Sequence, residues 1–325
     1  MNKQLTVNAQ RIEARLQARF STRQPQAMYA PMHYLLKAGG KRVRPQLVML
    51  AYEACGGQNT TAIIDLAVAV ELFHNFTLVH DDIMDAADLR RGRPTVHVQY
   101  DEPTAILAGD AMYTEAFKLV VMSFPERAAL LAEIFASVAM GVCEGQAEDM
   151  AYTGQFNVMP EQYIEMIRKK TAVLLGGSLQ LGALAAGVSL EDSRLMYLLG
   201  EKIGIGFQLN DDYLDVYAEA DFGKTSGGDI LQDKNTYLRI RALQKADRYQ
   251  KEALLNWSNV SAPDDGPAKV QAVKAIYDAL EIGTETQRLA NRYHNEGQQL
   301  LSDIASFADT APLTEFFDWL RQRQT

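Results

Sequence analysis

Little in this sequence could serve as a covalent or basic scaffold. Cysteine occurs only twice in 325 residues, too few for a disulfide framework, and neither Cys55 nor Cys143 sits in a zinc-type spacing. Both lie among small and apolar neighbours and read as buried packing residues. The net charge of −9 excludes general nucleic-acid binding, which needs a basic surface. Strand signals are nearly absent. The first twenty residues contain no apolar h-region, and the most apolar run, Ala62 to Phe73, is broken by Asp65 and Glu71 and is too short to span a bilayer. These absences predict a soluble, cytoplasmic protein. An acidic chain acting on an anionic substrate must concentrate its cations locally or borrow them from metal ions.

What the chain does have is helical periodicity. Apolar residues make up 47% of it, and they recur at helical spacing through Tyr34 to Leu50, Leu66 to Leu78, Ile106 to Val121, Ala128 to Val142, Tyr163 to Leu181, Leu195 to Val216 and Tyr237 to Leu255. Gly and Pro fall between these runs more than within them. The pattern predicts an all-α protein of about ten helices, one large domain over residues 1–325. The loosest segments are Asp221 to Gly228, which carries Lys224 and reads as a functional loop, and Ser258 to Ala268, which reads as a surface turn.

Two acidic triplets stand out. Asp81, Asp82 and Asp85 form D-D-x-x-D in one helical run, with positions i and i+4 on the same face. Asp211, Asp212 and Asp215 repeat the spacing in 'GIGFQLNDDYLDVY'. Like charges so spaced repel unless a cation intervenes, and carboxylates on adjacent turns suit Mg2+, whose shell is completed by water and phosphate oxygens. One such triplet on a helix is more often a solvated face. Two of them, on helices of core character, favour metal sites lining a cavity.

Basic residues complement them. Gly39-Gly40-Lys41-Arg42-Val43-Arg44-Pro45 places three cations between a flexible turn and a helix, and Arg90-Arg91-Gly92-Arg93 follows the first triplet. Lys169-Lys170-Thr171 opens another apolar run. Helix N-termini and guanidinium forks both suit phosphate oxygens.

The segments 'GGKRVRPQL', 'HNFTLVHDDIMDAADLRRGRPTVH', 'GDAMYTEAF', 'KTAVLLGG' and 'GFQLNDDYLDVYAEADFGKTSGGDILQDKNTYL' occur in the order and spacing of the trans-isoprenyl diphosphate synthases, which this chain resembles from about Lys37 to Leu238. The resemblance implies a helical isoprenoid-synthase fold with a central cavity, homodimerisation, and condensation of isopentenyl diphosphate with an allylic diphosphate (dimethylallyl, geranyl or farnesyl). It implies that Asp81, Asp82, Asp85, Asp211, Asp212 and Asp215 hold several Mg2+ ions. Lys41, Arg44, His74 and Arg91 match its isopentenyl diphosphate site, while Arg90, Lys170, Thr171, Gln208, Lys224 and Lys234 match its allylic diphosphate site. His80 and His97 read as structural. Phe73 and Phe76 are core aromatics that also suit the floor of a product tunnel. With Thr77 beside Phe76 and no insertion in the first D-D-x-x-D, the pattern resembles C20 synthases more than C15 ones. Two rivals remain at this level. A terpene cyclase or squalene-type synthase would carry a different second metal motif and lack 'GGKRVRP'. A non-catalytic partner subunit would have lost acidic or basic site residues.

Overall fold

A computed structural model describes residues 3–218, 227–258 and 262–322. Among these are sixteen α-helices, more than the ten expected, because several apolar runs are cut by caps and short turns. They are α1 Lys3–Phe20, α2 Gln26–Leu36, α3 Val43–Ala54, α4 Thr60–Met84, α5 Val96–Gln99, α6 Glu102–Ser123, α7 Ala128–Tyr152, α8 Pro160–Ile167, α9 Val173–Ala186, α10 Leu190–Tyr217, α11 Gly228–Leu231, α12 Tyr237–Lys245, α13 Arg248–Trp257, α14 Ala262–Ala279, α15 Ile282–Ile304 and α16 Ala311–Gln322. The predicted surface turn at Ser258 to Ala268 is largely the start of α14, kinked at Asp265 ahead of Pro267. One small hairpin was not anticipated: β1 Leu89–Arg90 pairs antiparallel with β2 Arg93–Pro94.

The helices start where side chains satisfy their free N–H groups. Asn59 Oδ1 accepts from the Ala62 N–H and Asp101 Oδ1 from that of Thr104, and Asp247 with Gln250 forms a capping box.

The chain divides into two compact units. The first comprises the described residues of Met1–Ala139, Leu174–Tyr197 and Asp303–Leu313. Its centre is α4, apolar on several faces, with Leu66 to Val70, Leu72 and Phe73 all buried. The second comprises those of Met140–Val173, Leu198–Ser302 and Thr314–Thr325. Its core includes Tyr163, Ile167, Ile205, Leu209, Ile240 and Ala290, with a neighbouring cluster around Val216, Leu238, Val273 and Tyr277.

Three expectations need correction. Cys143 is exposed and Cys55 is half-buried, because each lies towards the edge of its apolar run. The helices are also longer than the apolar run read from sequence: Thr60–Met84 and Pro125–Tyr152 are long and apolar enough to cross a membrane. The apolar window of the first is 61% buried in the protein, that of the second 33%. Finally, Lys169, Lys170 and Thr171 do not open a helix. They lie in a π-helical turn, Arg168–Ala172, between α8 and α9.

Candidate active site

In the first unit the basic motif and the first acidic motif are built by separate turns. The chain enters α3 through Arg42, whose φ of 49° is left-handed. Arg42 is buried and forked onto Glu71 (Nη1–Oε1 2.6 Å) and Glu13 (Nη2–Oε2 2.8 Å), and it also donates to the Leu36 carbonyl. Lys41, on one side of it, is exposed. Arg44, on the other, lies 3.1 Å (Nη1) from His74 Nε2.

Hairpin residues Arg91 and Gly92 have φ of 54° and 72°, the positive values that a type I′ turn requires at both positions. The turn brings the Arg91 guanidinium to the Gly39 carbonyl, to which it donates. A Cβ on Gly40 would sit 3.0 Å from Arg91 Nη1, so glycine leaves room for that guanidinium. Lys41, Arg44, His74 and Arg91 thus belong to one basic region.

Its electrostatics suit an anion. Burial, with Arg91 adding repulsion, lowers the Arg44 pKa to about 10, while Glu71 opposes the shift. His74 is pushed well below the usual histidine range by burial and by Arg44, Arg91, Arg90 and Arg42, so it is neutral. Arg44 Nε is buried and has no hydrogen-bond partner among the described residues. A buried donor left open among cations fits a phosphate oxygen.

The first carboxylates lie at the end of α4. Asp81 and Asp82 fall in its last turn and Asp85 is its C-cap, where the helix dipole disfavours negative charge unless a cation is present. The helix closes as a Schellman motif, with Ala86 N–H on Ile83 O and Ala87 N–H on Asp82 O. The left-handed position is Ala86, φ 48°, where glycine would be relaxed; an L-residue there costs about 1–2 kcal/mol. Asp82 is buried, and Arg90 Nε lies 2.8 and 2.9 Å from its two oxygens. Burial raises the Asp82 pKa while Arg90 opposes the rise. Arg90, which the resemblance assigns to the allylic diphosphate site, is paired here with Asp82, with Asp81 Oδ2 3.8 Å away.

The second triplet lies near the end of α10, within the second unit. Asp211 is exposed, Asp212 buried and Asp215 half-buried. Asp212 accepts from the Tyr163 hydroxyl at 2.5 Å and from Gln208 Nε2 at 3.1 Å, and Gln208 Oε1 accepts from the Thr171 hydroxyl at 3.2 Å. Burial drives the Asp212 pKa up to about 8, with Asp229 and Asp211 adding repulsion. Burial, then Asp212, pushes Tyr163 well above its usual value, so its hydroxyl remains a donor. Asp215 accepts the Asp229 N–H at 2.8 Å, so it helps hold the start of α11.

Lys170 Nζ pairs with Asp149 at 2.6 Å. Its turn packs closely on α7: a Cβ on Gly145 would lie 2.2 Å from the Lys170 nitrogen. Lys234 is half exposed, with Nζ 3.9 Å from Asp229 Oδ1. Lys224 lies outside the described residues.

Among the described residues no three His, Cys, Asp or Glu side chains converge into a ready-made metal cluster. The donor set still suits Mg2+: paired carboxylate oxygens, and in Asp212 a buried acid that needs a cation to ionise near neutral pH. Sequence reasoning overlooked Tyr163, Asp149 and Asp229. Asp229 lies inside a quoted motif, but Tyr163 and Asp149 carry no local signal because the fold alone brings them to their partners.

A family model for polyprenyl synthetase matches residues 25–280. A geranylgeranyl pyrophosphate synthase from Geoglobus acetivorans is 41% identical over 97% of this chain and 97% of its own length. A geranylfarnesyl diphosphate synthase from Natronomonas pharaonis is 34% identical over 87% of this chain and 89% of its own. A crystal structure of geranylgeranyl pyrophosphate synthase superposes with a TM-score of 0.92 at 34% identity, covering 100% of this chain and 99% of the other. The chain belongs to the polyprenyl synthetase family, the trans-isoprenyl diphosphate synthases its motifs resemble.

Proposed function

We propose that the chain is a Mg2+-dependent prenyltransferase that condenses an allylic diphosphate with isopentenyl diphosphate to a short all-trans prenyl diphosphate, C20 favoured. It works in this reading as one catalytic domain, in the cytoplasm and as a homodimer. The observation that carries the reading is the buried, unpartnered Arg44 Nε beside neutral His74, in a chain that also keeps both carboxylate triplets.

Lys41, Arg44, His74 and Arg91 hold the isopentenyl diphosphate, and Arg90, Lys170, Thr171, Gln208, Lys224 and Lys234 the allylic one. Asp81, Asp82, Asp85, Asp211, Asp212 and Asp215 would hold Mg2+ ions, Asp215 while accepting the Asp229 N–H on its Oδ2. Bound Mg2+ would supply charge neutralisation for the departing diphosphate. The cationic side chains act on the same developing charge. As the allylic C–O bond breaks, the isopentenyl double bond attacks C1 of the allylic cation and a proton is lost, for which the released diphosphate is a sufficient base. Apolar walls must exclude water, which would capture the cation.

The homodimer is supported by apolar side chains exposed on α6 and α7, with Leu107, Met122 and Met140 each more than 60% exposed. C20 is supported by the geranylgeranyl synthase relative and by Phe73, Phe76 and Thr77; the geranylfarnesyl relative makes C25 the competing length.

The experiment is turnover by the purified chain with isopentenyl diphosphate and each allylic primer, with and without Mg2+, followed by mass spectrometry of the products. Metal-dependent linear products establish the proposal. A cyclic product would favour the cyclase, and no turnover by the chain alone a partner subunit.

A further inference from the structure

Two buried cations converge on one residue, Asp233, beside Lys234. The short helix α11 ends in a Schellman motif: Asp233 N–H donates to Ile230 O at 3.2 Å, and Lys234 N–H to Asp229 O at 3.0 Å. The left-handed position is Asp233, φ 53°, where glycine is the relaxed choice. Its side chain explains the aspartate. Asp233 Oδ2 accepts from Lys269 Nζ at 2.7 Å, and its carbonyl accepts from Arg239 Nη1. Lys269, on α14, is 1% exposed and Arg239, on α12, is 8% exposed. Burial this complete is rare for lysine and costly unless the charge is paired. Three helices of the second unit, α11, α12 and α14, thus meet at one strained residue. The next residue is Lys234, whose backbone is fixed by the motif on one side and by Thr236 N–H on its carbonyl at 3.0 Å.

We infer that Lys269 is a positioning residue for the allylic diphosphate: by holding Asp233 in its left-handed conformation, it sets the place of Lys234. The inference rests on the reading that Lys234 binds that diphosphate.

The test compares steady-state KM for dimethylallyl and isopentenyl diphosphates, kcat and melting temperature in four variants. Removing both charges together avoids leaving one buried without a partner. In Lys269→Met/Asp233→Ala the turn loses its tether and carries a Cβ that disfavours it. The allylic KM should rise about tenfold, the loss expected for one misplaced charge-assisted hydrogen bond, while the isopentenyl KM stays within about twofold. In Lys269→Met/Asp233→Gly the turn is again relaxed, and the allylic KM should return towards that of the parent. A parental allylic KM in the alanine variant, or equal losses in both double variants, overturns the inference. If the alanine variant does not fold, Lys269→Arg takes its place, keeping the charge but moving it: a selectively raised allylic KM supports the inference and an unchanged one overturns it. Lys234→Ala separates the two levels. If it leaves the allylic KM unchanged, the reading of Lys234 falls and the inference with it. If it raises that KM while the alanine double variant does not, only the inference falls.

Discussion

The basic region around Arg44 and the acidic region around Asp212 are built on opposite electrostatic plans. Around His74 the fold gathers four arginines, whose field helps burial to keep the imidazole neutral, and burial with Arg91 lowers Arg44. Around Asp212 it gathers Asp211 and Asp229, and burial with their repulsion raises the carboxyl to about 8. Burying like charges costs stability in each region, and in the proposed reading each would be relieved by a ligand of opposite sign, a diphosphate in the first and divalent cations in the second. The Asp82 site lies between these extremes, since Arg90 already neutralises it. Charge strain of this kind marks functional sites more often than structural ones.

The largest effects should come from the carboxylates. Asp81→Ala and Asp211→Ala should each fold and lose about 10²–10³-fold or more in condensation rate, the usual loss when a group stabilising developing charge is removed. Near-parental turnover in both at saturating Mg2+ would break the comparison at its acidic pole.

At the basic pole, Arg44→Ala should raise the isopentenyl KM about ten- to hundredfold, the span expected for a lost hydrogen bond to a charged group. Lys224→Ala should act chiefly on the allylic KM. Equal effects of each variant on both KM values would dissolve the two-site assignment while leaving the overall reaction in place.

The acidic pole also predicts a pH signature. The folded-state pKa of Asp212 lies above that of an unfolded aspartate, about 3.9. Its contribution is therefore fully present below about 4 and is lost as pH rises through about 8. Without metal, the melting temperature should fall by several degrees between pH 5 and pH 8, and Asp212→Asn should flatten that slope. Mg2+ should stabilise the parent more at pH 8 than at pH 5. Thermal melts in EDTA and in Mg2+ would test this, and a pH-independent difference between parent and Asp212→Asn would count against it.

Much of this was legible in the sequence, for reasons visible in particular residues. Helix content followed from apolar periodicity, and the motifs kept their local order because D-D-x-x-D and 'GGKRVRP' each lie within a turn or two of chain. What escaped were partners brought in by tertiary packing. Tyr163 reaches Asp212 across 49 positions, Arg42 reaches Glu71 across 29, and Lys269 reaches Asp233 across 36. The small hairpin at Leu89 to Pro94 escaped because two-residue strands carry no alternation to read. Ser258 to Ala268 misled because its Pro and Gly sit in a kinked helix start rather than a loop.

The smallest effect expected is on product length, where the aromatic residues of the first unit can be set against its basic ones. Phe76 lies five residues before Asp81 and Phe73 eight before, about 7 and 12 Å back along α4 at ~1.5 Å per residue. Phe73 is fully buried and Phe76 half-buried, with ring centroids 5.6 Å apart. The pair is backed by more rings than the sequence suggested. Tyr113 lies 5.9 Å from Phe73 and 5.3 Å from Phe76, Phe135 lies 5.3 Å from Phe73, and His80 packs 4.7 Å from Phe76. His80 thus has a packing role, in line with its structural reading. Thr77 is no obstacle in polar terms, because its hydroxyl donates to the His74 carbonyl at 2.8 Å. A tail growing from the metal-bound diphosphate along α4 would meet Phe76 first and the Phe73–Tyr113–Phe135 cluster behind it. Phe76→Ala should therefore lengthen the main product by about one C5 unit, near the length of one α-helical turn (~5.4 Å), with little change in kcat. The buried second layer should stop the chain there. Phe73→Ala/Phe76→Ala should lengthen it again, at a cost of about 3–5 kcal/mol for truncating a buried phenylalanine. Chromatography of the dephosphorylated products decides the matter: an unchanged distribution in the double variant would place the floor elsewhere in the protein.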